Sequence, residues 1–170
     1  IRGMGYPVKT LKEQILAILG LAESASGQKT WDAILIGAGN IGTALLNSQE
    51  FTTYGFRIIA ACDIKPENSR YAQSQSFENS EAPISLHHID ELETLIRDHQ
   101  PDIAMLAISE EQAQDITNRL VTAGIHAILN FVPVQLTVPS YVKIRTVDLV
   151  AELQSLTYHL HREEIKKQEH

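Results

Sequence analysis

Three glycines, Gly37, Gly39 and Gly42, directly follow the apolar segment 31–36 and form a Gly-x-Gly-x-x-Gly sequence. This order is typical of a strand that turns sharply into a helix. In such a turn the first glycine takes a conformation that other residues avoid, the second lets a pyrophosphate approach the backbone, and the third lets helix and strand pack closely. Tight turns that bind no nucleotide use the same glycines, so the residues that follow decide the interpretation.

An acid at the end of the next apolar segment favours dinucleotide binding. Segment 56–62 leads to Asp63, which lies 21 positions after Gly42. In dinucleotide-binding folds an acid about 20 residues beyond the glycines binds the hydroxyls of the adenosine ribose. The same carboxylate repels a 2′-phosphate, which favours NAD over NADP, although Lys65 could accommodate that phosphate. The alternative is that Asp63 is only a helix cap or a turn residue.

Strand-like and helix-like segments alternate from Trp31 onward, which predicts an α/β fold with a doubly wound parallel sheet covered on both faces. We expect strands near 31–36, 57–62, 84–86, 102–108, 126–130 and 142–146, and helices near 40–49, 89–99, 110–123 and 147–167. The polar residues between 66 and 83 have few apolar anchors and predict a mobile loop with one helical turn. The last helix carries a wide apolar stripe that could cover this sheet or cross to a second subunit.

Composition limits the classes of function. The net charge of -7 and the pI of about 5.4 argue against a nucleic-acid surface on this chain. Cys62 is the single cysteine, and its place in an apolar strand predicts a small buried hydrophobe. No apolar run is long enough to span a membrane and no signal peptide is recognisable, so we expect a cytoplasmic protein. The histidines lack the spacing of metal ligands, so no metal site is expected.

Four segments of the chain, 3–6, 37–46, 128–134 and 147–154, closely resemble the Rex family of redox-sensing transcriptional repressors. Rex proteins have an N-terminal winged-helix DNA-binding domain, a Rossmann domain that binds NAD(H), and a C-terminal helix exchanged between the subunits of a homodimer. The resemblance extends over about residues 3–160. It implies that residues 1–27 are the remnant of the wing and a linker helix, 28–146 the NAD(H)-binding Rossmann domain and 147–170 the dimerisation helix. Operator DNA would then bind only to the intact protein.

The resemblance also implies roles for individual residues. The glycine-rich loop would hold the pyrophosphate, Asp63 the adenosine ribose, and the end of the strand 102–108 would border the dinucleotide. The segment at the end of strand 126–130 would lie near the nicotinamide half, and the start of the last helix would couple to the DNA-binding domain and approach the partner's nicotinamide pocket. The residues concerned are Gly37, Ala38, Gly39, Asn40, Ile41 and Gly42; Asp63; Ile108 and Ser109; Asn130, Phe131 and Pro133; and Asp148 and Leu149.

Two departures from the family pattern affect these expectations. Thr43 stands where the family often has arginine, which weakens any phosphate contact from that position. Segment 73–81 replaces a shorter stretch that commonly contains Gly-Ile-Pro, which leaves the contacts on the adenine side undefined.

A redox sensor must bind NADH and NAD+ with different affinities. If the nicotinamide ring enters a pocket closed by apolar side chains such as Phe131 and the partner's Leu149, the cationic ring of NAD+ loses hydration without compensation. We therefore expect NADH to be preferred, to close the dimer and to release DNA, and we expect no catalytic residues. Two alternatives remain at this point: an NAD-dependent dehydrogenase, which usually needs a substrate domain, and a CoA-binding domain of similar fold.

Overall fold

The computed structural model describes residues 23–24, 27–28, 30–48, 50–74 and 84–168. Two short strands, β1 (Glu23–Ser24) and β2 (Gly27–Gln28), form an antiparallel pair. Six further strands form one parallel sheet: β3 (Trp31–Ile36), β4 (Phe56–Asp63), β5 (Leu86–His88), β6 (Ile103–Leu106), β7 (Ala127–Asn130) and β8 (Lys143–Thr146). Five of the six predicted strands are confirmed to within two residues, whereas the strand predicted at 84–86 begins two residues later, at Leu86. The predicted helical face in residues 9–19 lies outside the described residues.

The helices are α1 (Asn40–Leu46), α2 (Glu50–Thr53), α3 (Arg70–Ser74), α4 (Leu92–His99), α5 (Glu110–Thr122) and α6 (Leu149–Gln168), with single 3-10 turns at Pro66–Asn68 and Ile89–Glu91. The helix predicted at 40–49 is shorter, because it ends at Leu46 with Asn47 as its C-cap. Asn and Ser side chains compete with the helical backbone for hydrogen bonds, which favours an end at this point. The predicted helices at 110–123 and 147–167 are confirmed to within two residues.

The strand order is β5-β4-β3-β6-β7-β8, which places β3 near the centre of the sheet. The chain first moves from β3 to β4 and β5 on one side, and then crosses over to β6, β7 and β8 on the other. In such sheets the point where the order reverses leaves a crevice at the carboxyl ends of the strands, and ligands bind there. The ends of β3, β4 and β6 therefore define the edge at which a site is expected.

Alternate residues of β3 face two apolar layers. Ile34 and Ile36 pack into a core that includes Leu92 of α4 and Leu120 of α5. Leu35 and its neighbours on the opposite face pack with residues of α1, α3 and β6, among them Leu46, Tyr71 and Met105. Strands buried on both faces read as continuous apolar runs, which is why β3 and β6 could be recognised from the sequence.

The prediction of a mobile loop after Pro66 is wrong for residues 66–74. Ser69 and Tyr71 are only 6% and 4% exposed. The Ser69 hydroxyl donates a hydrogen bond to the carbonyl oxygen of Ala38 at 2.9 Å and accepts one from the backbone N–H of Tyr71 at 3.1 Å. The Tyr71 hydroxyl in turn accepts from the N–H of Ile84 at 3.0 Å. Two buried hydroxyl groups thus anchor a segment whose sequence contains few apolar residues; residues 75–83 lie outside the described part.

Replacing Ser69 with alanine should destabilise the fold, because the Ala38 carbonyl and the Tyr71 N–H lose a buried partner. We expect Ser69→Ala to lower the free energy of unfolding by about 1–3 kcal/mol in urea denaturation. Ser85→Ala is the matched control, because Ser85 is exposed and, among the described residues, its hydrogen bond is made by the backbone carbonyl, which accepts from the N–H of Ala61. The control should change the same quantity by less than about 0.5 kcal/mol. Equal effects of the two substitutions would contradict the anchoring role of Ser69.

Candidate functional site

The glycine-rich loop has little room for side chains at its first and third glycines. Gly37 has φ +97°, and a Cβ atom there would collide with the backbone carbonyl of Ala107, just after β6. A Cβ atom at Gly42 would collide with the carbonyl of Gly37. At Gly39, by contrast, a Cβ atom would have no neighbour within 4 Å. The loop is therefore tightly packed at Gly37 and Gly42, whereas Gly39 between them faces open space.

Three side chains hold the peptide groups of Ala38, which is 2% exposed. Its N–H donates to Asp63 Oδ2 at 2.7 Å, and its carbonyl oxygen accepts from Thr43 Oγ1 at 3.1 Å and from Ser69 Oγ at 2.9 Å. Thr43, which stands where the family often has arginine, thus stabilises the loop. These bonds fix the shape of the loop at Ala38, and the N–H of Ala38 already has an acceptor in Asp63.

Asp63 lies at the end of β4 and is half-buried. Its Oδ2 accepts from Ala38, and its Oδ1 accepts from the N–H of Lys65 at 2.8 Å. A carboxylate has about four lone-pair positions, so both oxygens can still accept hydrogen bonds from a ligand's hydroxyl groups. The two backbone donors fix the carboxylate at the mouth of the adjacent cleft.

A cleft of about 350 Å³, here called the Asp63 cleft, opens at the carboxyl ends of β3, β4 and β6. Its lining combines residues of the glycine loop and the strand ends with one face of α5: Ile36, Gly37, Gly39, Cys62, Asp63, Ile64, Ile89, Ala107, Ile108, Ser109, Gln112 and Ile116. Sequence reasoning missed Gln112 and Ile116. Their spacing of four places them on one face of α5, which is the signal that could have found them.

A second cleft of about 400 Å³, here called the Phe131 cleft, adjoins the first. Ala107, Ile108 and Ser109 line both. The other lining residues come from the start of α1, the start of α5 and the turn after β7: Asn40, Ile41, Glu110, Phe131, Val132 and Pro133. The two clefts therefore lie next to each other, and both are lined in part by residues of the segment 37–41. Glu110 was not predicted as a site residue.

Asn130 lines neither cleft, although the sequence places it beside Phe131 and Pro133. Its side chain is fully buried and its amide groups bond within the protein. Nδ2 donates to the carbonyl of Val132 at 2.9 Å and to Thr146 Oγ1 at 3.2 Å, and Oδ1 accepts from the N–H of Val132 at 2.9 Å. Asn130 therefore shapes the turn that carries Phe131 and ties this turn to β8.

Asp148 also lies outside both clefts. Its Oδ1 accepts hydrogen bonds from the N–H groups of Val150 and Ala151, each at 3.0 Å, so that it caps the start of α6. The side chain of Leu149 is not among those the structure describes. Farther along α6, five large side chains are each 60% or more exposed: Val150, Leu153, Leu156, Tyr158 and Leu160. The predicted apolar stripe is thus exposed to solvent in the single chain.

The described part of the chain has neither a membrane-spanning helix nor a cluster of metal-binding side chains. No helix among those residues is long and apolar enough to cross a membrane. The same residues contain no cluster of three or more His, Cys, Asp or Glu side chains that could hold a metal ion.

Cys62 is confirmed as a buried residue of β4. Burial, with a smaller contribution from the negative charge of Glu91, raises the pKa of its thiol to about 12. Because only the thiolate is nucleophilic, the thiol should be almost inert near neutral pH.

We therefore expect Cys62 in the folded chain to react with a disulfide reagent at pH 8 at least about a hundredfold more slowly than in the denatured chain. The native rate should rise about tenfold per pH unit between about pH 7 and pH 10, because the group titrates near pH 12. The reaction can be followed by absorbance, with the urea-denatured chain as control. Equal rates in the folded and denatured chains would show that the thiol is accessible.

Comparisons with known proteins agree with this architecture. Residues 28–134 match the family model described as a CoA binding domain. A redox-sensing transcriptional repressor Rex from Syntrophobacter fumaroxidans is 35% identical over 160 residues, which cover 94% of this chain and 70% of the relative. The Rex protein of Streptomyces coelicolor is 39% identical over 161 residues, covering 95% of this chain but 57% of the relative.

Solved structures show the same relationship. A Rex-family repressor named RSP superposes with a TM-score of 0.79 at 34% identity, covering 99% of this chain and 74% of the other. The same repressor in complex with NADH matches with a TM-score of 0.78, and it has also been solved with NAD+ and operator DNA. These sequence and structural matches show that the chain belongs to the Rex family of redox-sensing transcriptional repressors.

Proposed function

We propose that this chain is the NAD(H)-sensing part of a redox-responsive transcriptional repressor and that it binds NADH more tightly than NAD+. The observation that carries the proposal is that the Asp63 cleft and the Phe131 cleft adjoin each other beside the glycine loop. The Asp63 cleft offers a carboxylate for the ribose hydroxyls, and the Phe131 cleft offers an aromatic ring and a proline for the nicotinamide half. Family membership and the NADH complex of a related repressor support it.

The adenosine half fits the Asp63 cleft. Asp63 accepts hydrogen bonds from the ribose hydroxyls, and Ile64 and Ile116 provide apolar surface for the base. The pyrophosphate lies over Gly39 and Asn40. Helix α1 begins there without a side-chain cap and without an acid in its first turn, so its first N–H groups remain available to an anion.

The nicotinamide half occupies the Phe131 cleft, beside Phe131 and Pro133. Neither Phe131, which is half-buried, nor Pro133 has a hydrogen-bond acceptor in its side chain, so these two residues do not replace the water that a cationic ring loses on entry. The neutral ring of NADH loses less. Each tenfold difference in affinity corresponds to about 1.4 kcal/mol, so partial desolvation of one charge is sufficient for sensing.

Asn130 connects the nicotinamide cleft to α6. Its side chain holds the turn with Phe131 and Val132 on one side and contacts Thr146 on the other. Its backbone carbonyl accepts from the N–H of Val147 at 2.8 Å, two residues before α6. A displacement of the turn by a bound nicotinamide would therefore be transmitted to the start of α6.

In the proposed mechanism α6 carries the signal to a second subunit. Its exposed apolar stripe is the surface that a homodimer would cover. In the family's pattern Asp148 couples this helix to the DNA-binding domain, and Leu149 approaches the partner's nicotinamide pocket. NADH would close the dimer, and the intact protein would release operator DNA. The chain itself acts as a binding module, consistent with relatives that are named repressors.

The match of residues 28–134 to a CoA binding domain gives a second candidate function. Asp63 argues against it. CoA carries a phosphate on the ribose of its adenosine, and the carboxylate fixed by Ala38 and Lys65 repels a phosphate at that place. A ribose with two free hydroxyls suits the same carboxylate better.

Calorimetric titration with NADH, NAD+, NADPH and CoA tests this proposal. We expect NADH to bind more tightly than NAD+, and both to bind more tightly than NADPH and CoA. Asp63→Asn keeps an oxygen that can accept from Ala38 but removes the charge. We expect this variant to lose at least about tenfold in NADH affinity, because charged hydrogen-bond acceptors are roughly twice as strong as neutral ones. We also expect it to bind NADPH more tightly than the unmodified chain does, because the charge that repels the 2′-phosphate is gone.

Asp115→Asn, on the exposed part of α5 and outside both clefts, is the matched control and should leave all four affinities unchanged. Equal affinities for NADH and NAD+ would contradict the sensing role. Binding of CoA without NADH would favour the second candidate.

Gly39 offers a separate test of the pyrophosphate position. Its φ of -70° suits any residue and a Cβ atom would have no neighbour, so Gly39→Ala should fold with nearly unchanged stability. The added methyl group would lie in the pyrophosphate's path, and we expect NADH affinity to fall at least tenfold, by about 1.4 kcal/mol or more.

Gly42→Ala is the matched comparison and should behave in the opposite way. Its Cβ atom would meet the Gly37 carbonyl, so thermal denaturation should show a large loss of stability. If Gly39→Ala bound NADH as the unmodified chain does, the pyrophosphate would have to lie elsewhere.

A further inference from the structure

Glu110 is a charged residue that the proposed function has not used. It is the first residue of α5, it is exposed, and it lines the Phe131 cleft together with Phe131 and Pro133. Within the described part of the chain its carboxylate has no hydrogen-bond or ion-pair partner. Among the described residues, all others that line this cleft are uncharged. The nicotinamide half of a dinucleotide would therefore bind beside one negatively charged side chain.

The neighbouring acid has a different environment. Glu111 lines neither cleft, and its pKa lies below the ordinary value because its own backbone N–H and the Ser109 hydroxyl donate hydrogen bonds to its carboxylate. Glu110 and Glu111 are thus adjacent acids in one helical turn, with the same formal charge, and only Glu110 lines the cleft.

The two redox forms of the cofactor differ by one positive charge on the nicotinamide ring. A carboxylate in the same cleft attracts NAD+ and has no corresponding attraction for NADH. Repulsion between Glu110 and the pyrophosphate is common to both forms, so it changes both affinities equally and cancels in their ratio. The ratio therefore reports only the interaction of Glu110 with the ring.

We infer that Glu110 is a specificity-determining residue that sets the redox range of this sensor by stabilising bound NAD+. It opposes the preference for NADH that the apolar part of the cleft creates. The inference rests on the proposed binding of NAD(H) and adds which residue sets the ratio of the two affinities.

The test measures dissociation constants of NADH and NAD+ for the whole chain at low and high salt concentration. Glu110→Gln keeps the size of the side chain and removes the charge. We expect the preference for NADH over NAD+ to rise about two- to fivefold, because an exposed charge acts through solvent. Glu110→Lys should raise the preference further, and Glu111→Gln should leave it unchanged. At high salt the effect of Glu110→Gln should shrink, because surface charges are screened.

The outcomes separate this inference from the proposed function. An unchanged ratio in Glu110→Gln and Glu110→Lys, with NADH still bound, would overturn the role of Glu110 and leave the sensing function intact. An equal gain in both affinities would also overturn it, since it would show that Glu110 faces the pyrophosphate. Binding of neither dinucleotide by the unmodified chain would overturn the proposed function and this inference together.

Discussion

The hydrogen bond between Asp63 and the N–H of Ala38 joins the end of β4 to the loop after β3, and the rest of the site depends on it. The Gly37 N–H reinforces it by donating to the Cys62 carbonyl at 2.8 Å. Because Thr43 and Ser69 hold the Ala38 carbonyl, the loop is fixed from three directions. A loop ordered before a ligand arrives loses less conformational entropy on binding, so more of the interaction free energy appears as affinity.

Sequence reasoning succeeded where the signal is local. Glycines with a positive φ or no room for a Cβ atom cannot be replaced freely, so Gly37 and Gly42 mark the turn. Apolar runs mark the buried strands, and the position of Asp63 follows from the length of one strand-helix-strand unit. Contacts between distant segments leave no such signal. Ser69 and Tyr71 are polar residues in a polar segment, and only their bonds to Ala38 and Ile84 show that they are buried anchors.

Asn130 shows how a correct segment can conceal a residue's role. The sequence places it beside the cleft, and Phe131 and Pro133 do line that cleft. The side chain of Asn130 points into the protein because β7 residues alternate between faces and the turn at Val132 needs both a donor and an acceptor. Which of two neighbouring residues faces a ligand depends on this alternation at the end of the strand, where a one-residue error reverses the prediction.

Glu110 was not predicted as a site residue for a similar reason. The exact residue at which α5 begins decides which side chain of its first turn faces the cleft, and the sequence does not fix that residue. The position of Glu110 matters because a sensor is useful only if its two states exchange within the range of ligand concentrations it meets. In the proposed site, desolvation of the cationic ring beside Phe131 and Pro133 would favour NADH, and the charge of Glu110 would favour NAD+. An exposed charge can supply only a modest shift of the ratio between the two affinities, and such a shift adjusts the response without altering the fold.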